Sequence, residues 1–452
     1  MTFKRGVHTP GNIESFNNHI ITDISATGFS FVILINSGKL YHTGHDWRRT
    51  VGGNPSCDAP GPSTSDYSPP PSALAWNTLS SNPRPLAGRQ ALFPMPSTAV
   101  GNRYDREVQP NLPSGRRMQI QPILTRPPEQ LPELPGLTPG STGDKHSVKE
   151  TNFVTELKLP PNDYDKKLIS ISSGRQHIVA LDDCNNIYTW DTGVQSKVGV
   201  KLRFGKLEPV PPIIKIFAGW NISAMYVNEI GLIVWNRRQP LTQQQFETED
   251  RTSETNYQAI SGTRGDIEDF TIGDNFVIFT RKSDGKVYRA NLIGDVFVAE
   301  EVGNFNEWLR DQQVQDGTPR RFTRLNCCFK SWVVFTDNDE ILIGNGANEM
   351  SIVEAIQHEN IKSVEIGDYH FLALTSQGEV YSWGRESEQC GCLGLGDKTT
   401  VLEHDPTVRN LGTYDGIQVY TPKKVINPTK SGKWVQIASS GWHSGGIYVA
   451  DE

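Results

Sequence analysis

The chain has 452 residues, 36% of them hydrophobic, and a formal charge of −7. That balance gives no overall positive surface for a phosphate backbone, so nucleic acid is not an expected partner. No apolar run reaches the roughly 20 residues needed to span a bilayer, so no membrane is expected either. The six cysteines do not make a disulfide framework: Cys327 and Cys328 are adjacent, and Cys390 and Cys392 are one residue apart. Neither pair has the two-residue gap of zinc knuckles and redox motifs, so no metal or cofactor is expected and the compartment reads as reducing, cytoplasmic and/or nuclear.

In chain order, a short unit recurs. It begins weakly at Ile24-Ser-Ala-Thr-Gly28, leading to Gly38-Lys-Leu-Tyr41. It returns clearly at Ile169 to Trp190, with Gly174 and His177, and at Ile214 to Trp235, with Gly219. Weaker copies follow at Phe270 to Tyr288 and Leu325 to Gly344. The clearest copy runs from Ile361 to Gly384, with Gly367, His370 and Trp383, and a last one runs from Trp434 to Val449. In three copies the glycine precedes the tryptophan by the same interval: 174 and 190, 219 and 235, 367 and 383. Seven units result. Each reads as a small antiparallel meander: an apolar strand, a glycine-led turn, a second apolar strand, and a third of the Val-Tyr-x-Trp type. One meander cannot bury both faces alone, whereas copies packed radially can. The expected fold is an all-β, seven-bladed β-propeller with a long disordered Pro-rich insertion between blades.

That insertion is read over 48–165, which holds twenty of the chain's twenty-nine prolines and too few periodic apolar residues for a core. It separates an amino-terminal segment with the first unit (1–47) from the remaining units (166–452). The final unit ends after its second strand, and residues 1–19 hold no Gly-x-Val-Tyr-x-Trp-Gly segment to complete it. The expectation is a natural start further upstream.

The stretch from Gly367 through Trp383-Gly384 to Gly391-Cys-Leu-Gly-Leu-Gly-Asp397 resembles one full repeat of the regulator-of-chromosome-condensation family. Within that family the arrangement is most similar to fungal F-box/propeller proteins of the SCF-associated factor type. The resemblance implies a propeller that binds a protein substrate for an SCF-type E3 ubiquitin ligase, and the ligase core as well if an F-box lies upstream. The alternative it implies is a guanine-nucleotide exchange factor for a small GTPase, the role of the family's founding member.

No converging acid–base set is found, so an enzyme is not expected. The glycine run 391–396 is not a phosphate loop, because Asp397 stands where the lysine should be and no helix-forming segment is read after it. His177, His370 and His443 recur at one repeat position, so they are read as histidines satisfied by backbone carbonyls within each unit. Trp190, Trp235 and Trp383 are read as packing between units. The acidic run Glu247–Asp250 and the helix-like stretch Asn306–Gln313 are read as inter-blade loops, solvated decoration more than contacts. The candidate partner-binding rim is the set of turn residues beside the repeat glycines: Arg175, Gln176, Trp220, Asn221, Asp274, Asp368, Tyr369 and Trp442. They fall at matching points of different units, so they should share one propeller face, and Trp, Tyr and Arg are the types that dominate interface hot spots.

Overall fold

The computed structural model describes residues 19–44 and 154–451, apart from Phe29 and loop positions within 192–196, 237–248, 295, 318, 348, 387–389 and 413–415. The described residues form a β-propeller. Six antiparallel meanders of four or five strands follow one another, and a two-stranded sheet, Gly432–Ser440 with His443–Ala450, comes last. The seven repeat units expected from the sequence correspond to these seven sheets, six of them complete blades among the described residues.

Chain order runs outward in each blade, except that in sheet 6 Val408–Asn410 lies outside Ile417–Lys424. In sheet 1, Ile21–Ala26 is innermost, followed by Ser30–Ile35, Leu40–Gly44 and Val154–Leu157. The insertion read over 48–165 is therefore too long at its end, because Val154–Leu157 pairs with Leu40–Gly44 as the outer strand of the first blade. The disorder expected for the rest of it lies outside the described residues. A second departure is Thr252–Glu254, which runs back from sheet 3 and pairs in parallel with Val200–Arg203 of sheet 2.

Continuous apolar runs make the middle strands. Ser30–Ile35 and His177–Asp182 are buried along their whole length, as befits strands covered on both faces. What covers them is the neighbouring sheet. Seven apolar clusters each straddle one pair of adjacent sheets, and the pair formed by the last and first sheets (Ala438 and Ile447 against Ile24, Phe31 and Ile33) is among them. Trp190, Trp235 and Trp383 sit in three of these clusters, so the repeat tryptophans do pack between blades. The helix-like stretch Asn306–Gln313 is helical, but it is not solvated decoration. It belongs to the helix Gly303–Asp316, which buries Phe305 and Leu309 against Trp332, while Asn306 bonds both backbone groups of Val287 at 3.0 Å.

The repeat histidines tie neighbouring sheets together. His177 Nε2 lies 2.8 Å from Ser223 Oγ of sheet 3, and His370 Nε2 lies 2.7 Å from Ser444 Oγ of the last sheet. His443 Nε2 donates to the Ser30 carbonyl of sheet 1 at 3.2 Å. These partners lie in the next sheet around the ring, and two are hydroxyls, so the expected link to carbonyls within one unit is corrected. Burial lowers the pKa of His370 to about 3, with His443 repelling further, and burial lowers that of His443 to about 4. Both rings stay neutral and can share hydrogen bonds with uncharged partners.

Two of the repeat glycines, Gly174 and Gly367, leave room for the His177 and His370 rings. Gly174 and Gly367 do not have positive φ; what they lack is room. A Cβ on Gly367 would lie 2.1 Å from the His370 ring, and one on Gly174 would lie 2.2 Å from the Gly219 carbonyl oxygen. Gly367→Ala should therefore cost about 1–3 kcal/mol by overpacking. Gly303→Ala, where a Cβ would meet nothing within 4 Å, should change stability by less than about 0.5 kcal/mol. Denaturant titration of the two variants checks the contrast.

Candidate functional site

The seven innermost strands surround a cavity of about 420 Å³ along the ring axis. Polar side chains stand among the apolar ones of its wall for a structural reason. Neighbouring innermost strands are not paired with each other in a sheet, so side chains satisfy the backbone groups left between them. Asp269 Oδ2 accepts from the Leu325 amide at 2.7 Å and Oδ1 accepts from Lys215 Nζ at 2.6 Å. Ser172 Oγ accepts from the Ala218 amide, Asn326 donates to the Val364 carbonyl, and Gln436 donates to Asp23. Arg324 donates to the carbonyls of Ile361 and Lys362. Glu365 faces the same channel and accepts from Asn326 at 3.1 Å. Burial raises its pKa to about 8 despite that bond, so the carboxyl is largely protonated at neutral pH.

One end of the channel is closed by the loops between the first and second strands of each sheet, where all eight residues of the expected rim lie. Arg175, from sheet 2, reaches across the ring to Asp368 of sheet 6, with Nη1 at 2.8 and 3.0 Å from the two carboxylate oxygens. Its guanidinium carbon also lies 4.5 Å from the centre of the Trp220 ring, which is 4.5 Å from Phe329 in turn. Side-chain exposures of 18% and 12% for Arg175 and Asp368 show a plug more than a free surface. Asp368 also donates its amide to the Gly441 carbonyl at 2.8 Å.

The expected rim thus divides. Arg175, Trp220 and Asp368 direct their chemistry inward and brace the loops. Asp274 is half-buried beside them, its amide bonded to the Phe329 carbonyl at 2.7 Å and its pKa raised by burial against the pull of Lys330. Gln176 and Asn221 are exposed. Tyr369 and Trp442 form an edge-to-face pair at 5.5 Å while staying 50% and 40% exposed. A large apolar pair is thus held open to solvent on a braced base. Sequence reasoning missed Phe329 and Lys330, because the turn of sheet 5 carries Phe329 at φ 55° in a unit with no glycine to mark it. It also missed Arg385, whose amide donates to the Tyr369 carbonyl at 2.7 Å and whose guanidinium lies 6.0 Å from the Tyr369 ring.

The ends of the third strands lie at this same end of the ring. Ser30 pairs with Gly44, and Thr43 with Val154, so the two described residues flanking the long stretch 45–153 sit beside the rim loops. A short helix, Lys398–His404, does follow the glycine run 391–396, contrary to expectation. Asp397 caps it by accepting from the amides of Thr399 and Thr400 at 2.9 and 3.2 Å. The carboxylate thus takes the N–H groups that a phosphate would need, and the phosphate-loop reading stays rejected for that reason.

A ring of meander sheets, three of them tied to the next by a turn histidine, defines a repeat propeller, and the repeats are identifiable. Two models of the regulator of chromosome condensation (RCC1) repeat match residues 361–392 and 377–447, so RCC1 repeats are shown within 361–447. Among curated proteins it is similar to SCF-associated factor 1 of Saccharomyces cerevisiae, at 28% identity over 99% of this chain and 77% of that protein. It is also similar to F-box protein pof9 of Schizosaccharomyces pombe, at 23% identity over 63% of this chain, and the match spans 58% of that protein. Among solved structures, Prp20p of Saccharomyces cerevisiae superposes with a TM-score of 0.51 at 12% identity, over 95% of this chain and 83% of that one. That likeness concerns the fold.

Glu365 gives a pH signature for the channel. Its pKa is raised from 4.5 to about 8 by burial, so the contribution of the neutral carboxyl to stability is full below pH 4.5 and is lost as pH rises through 8. Glu365→Gln, which keeps the size and stays neutral, should raise the melting temperature at pH 9 and leave it nearly unchanged at pH 5. A melting series across that range checks the sign.

Proposed function

We propose that this propeller recognises a protein substrate for an SCF-type E3 ubiquitin ligase, using the end of the ring where Tyr369 and Trp442 are exposed. The observation that carries the reading is the similarity to SCF-associated factor 1, which runs over 99% of this chain. The name of F-box protein pof9 supports the same direction. The geometry adds a reason for the face: Arg175, Trp220 and Asp368 brace the loops from below, so the two aromatics are presented with little freedom to lose on binding. We take Gln176, Asn221 and Asp274 as the polar rim around that pair.

In this reading the two-stranded sheet Gly432–Ser440 with His443–Ala450 is the inner half of a seventh blade. Its apolar contacts with both neighbours, Trp434 and Ile437 against sheet 6 and Ala438 against sheet 1, support that. The segment within 48–165 that departs beside the rim is taken as a disordered insertion, on its proline content.

Exchange-factor activity on a small GTPase is the second reading. It is favoured by the likeness to Prp20p, a structure reported with its binding to Gsp1p and histones. The readings separate experimentally. If the first holds, a protein captured by the chain should persist longer in cells carrying Tyr369→Ala with Trp442→Ala, and its capture should weaken by about 2 kcal/mol or more. The propeller itself should melt unchanged, because both side chains are exposed. Unchanged capture and unchanged lifetime would remove this face. Accelerated nucleotide release from a small GTPase by the purified chain would establish the second reading instead.

A further inference from the structure

One cluster of sixth-blade side chains lies outside the rim and the channel. The strand Val380–Glu386 ends in Glu386, and the chain returns through Cys390, Gly391 and Cys392. The carboxylate and the two Sγ atoms all lie within 4.8 Å of one another. Gly391 has φ 73°, a left-handed bend that a side chain would resist, and it sits between the two cysteines. The return is fixed by backbone as well: Glu386 accepts from the Leu393 amide at 3.1 Å, Ser382 donates to the Leu393 carbonyl at 2.6 Å, and the Gly394 amide donates to the Gly391 carbonyl at 3.0 Å.

We propose that Glu386, Cys390 and Cys392 hold one divalent cation of the zinc type. A one-residue cysteine gap is not the spacing of a zinc knuckle, but that spacing matters only when the cysteines must supply the whole set. Here the end of a strand brings the third ligand. Two sulfurs and one oxygen suit zinc, which takes thiolates at about 2.3 Å and carboxylates at about 2.0–2.2 Å in tetrahedral sites. The carboxylate argues against copper(I), and the thiols argue against magnesium and calcium. Three protein ligands leave the fourth position to water.

Burial gives the site its character. Cys392 is 2% exposed and Glu386 5%, packed beside Trp383 and Leu393. Burial raises the Cys392 thiol well above its ordinary value, with Cys390 adding to that, so without metal it is an unreactive thiol. Binding the cation displaces one proton from each thiol to solvent, and the two thiolates and the carboxylate then surround the dication. Affinity should therefore fall as pH is lowered. Cys392 also lies against the Arg385 carbonyl, and the Arg385 amide is bonded to the Tyr369 carbonyl. A cation here would staple the return loop to the strand that underlies the exposed aromatic pair.

Cobalt(II) is the probe. Titrated into the reduced, purified whole chain, it should bind at one equivalent with thiolate-to-cobalt charge-transfer absorption and the visible bands of a tetrahedral site. Zinc should displace it. Cys390→Ser with Cys392→Ser should abolish the charge-transfer band, while Cys327→Ser should keep it. Glu386→Gln should keep a thiolate band but weaken binding by about tenfold or more. If the double variant fails to fold, Cys390→Ser alone, at the less buried cysteine, should halve the charge-transfer intensity. No charge-transfer band at one equivalent, or a band that survives the loss of both cysteines, would overturn the assignment.

Discussion

Every sheet in this molecule has two apolar faces and can bury them only against its neighbours. A meander with strands such as Ser30–Ile35, covered along its whole length, is not stable as a separate unit. The ring meets that requirement for all sheets at once, and its last contact, Ala438 and Ile447 against Ile24 and Phe31, closes the circle. The other features follow from it. Innermost strands that converge on an axis without pairing leave backbone groups to be satisfied, so polar side chains enter an otherwise mixed channel wall. Turns that crowd at one end need glycine where a neighbouring imidazole must enter.

The same crowding makes the candidate site. Loops brought together at the channel end must first be compatible with each other, and Arg175, Trp220 and Asp368 meet that need by closing over the axis. What is left to solvent is a smaller surface, centred on Tyr369 and Trp442. The base and the surface have different roles, although their residues occupy equivalent places in the repeat.

This division explains how far the sequence could be read. The repeat was legible because glycine, histidine and tryptophan answer to local constraints: a missing Cβ, a hydrogen bond to the next sheet, an apolar face. Placing the rim residues on one end followed from the repeat register alone. Which of them turned inward did not, because the Arg175–Asp368 pair joins sheets 2 and 6 and depends on the diameter of the ring, a property of no single unit. The turn at Phe329 was hidden for the converse reason, since a left-handed residue other than glycine leaves no mark in a sequence. The helix Gly303–Asp316 was misread as solvated because its buried Phe305 and Leu309 are four residues apart among polar neighbours, a narrow stripe. The outer strand Val154–Leu157 was lost because prolines before and after it masked a four-residue pairing.

The central claim is that a protein partner is taken at the end of the ring bearing the loops between first and second strands. Hydrogen–deuterium exchange on the chain with and without a captured substrate tests this most directly. The account predicts slowed exchange in the segments 174–177, 219–222, 368–370 and 441–443. The turns at the opposite end, such as 36–39, 183–186 and 376–379, should be unaffected. Protection confined to those opposite turns would contradict it.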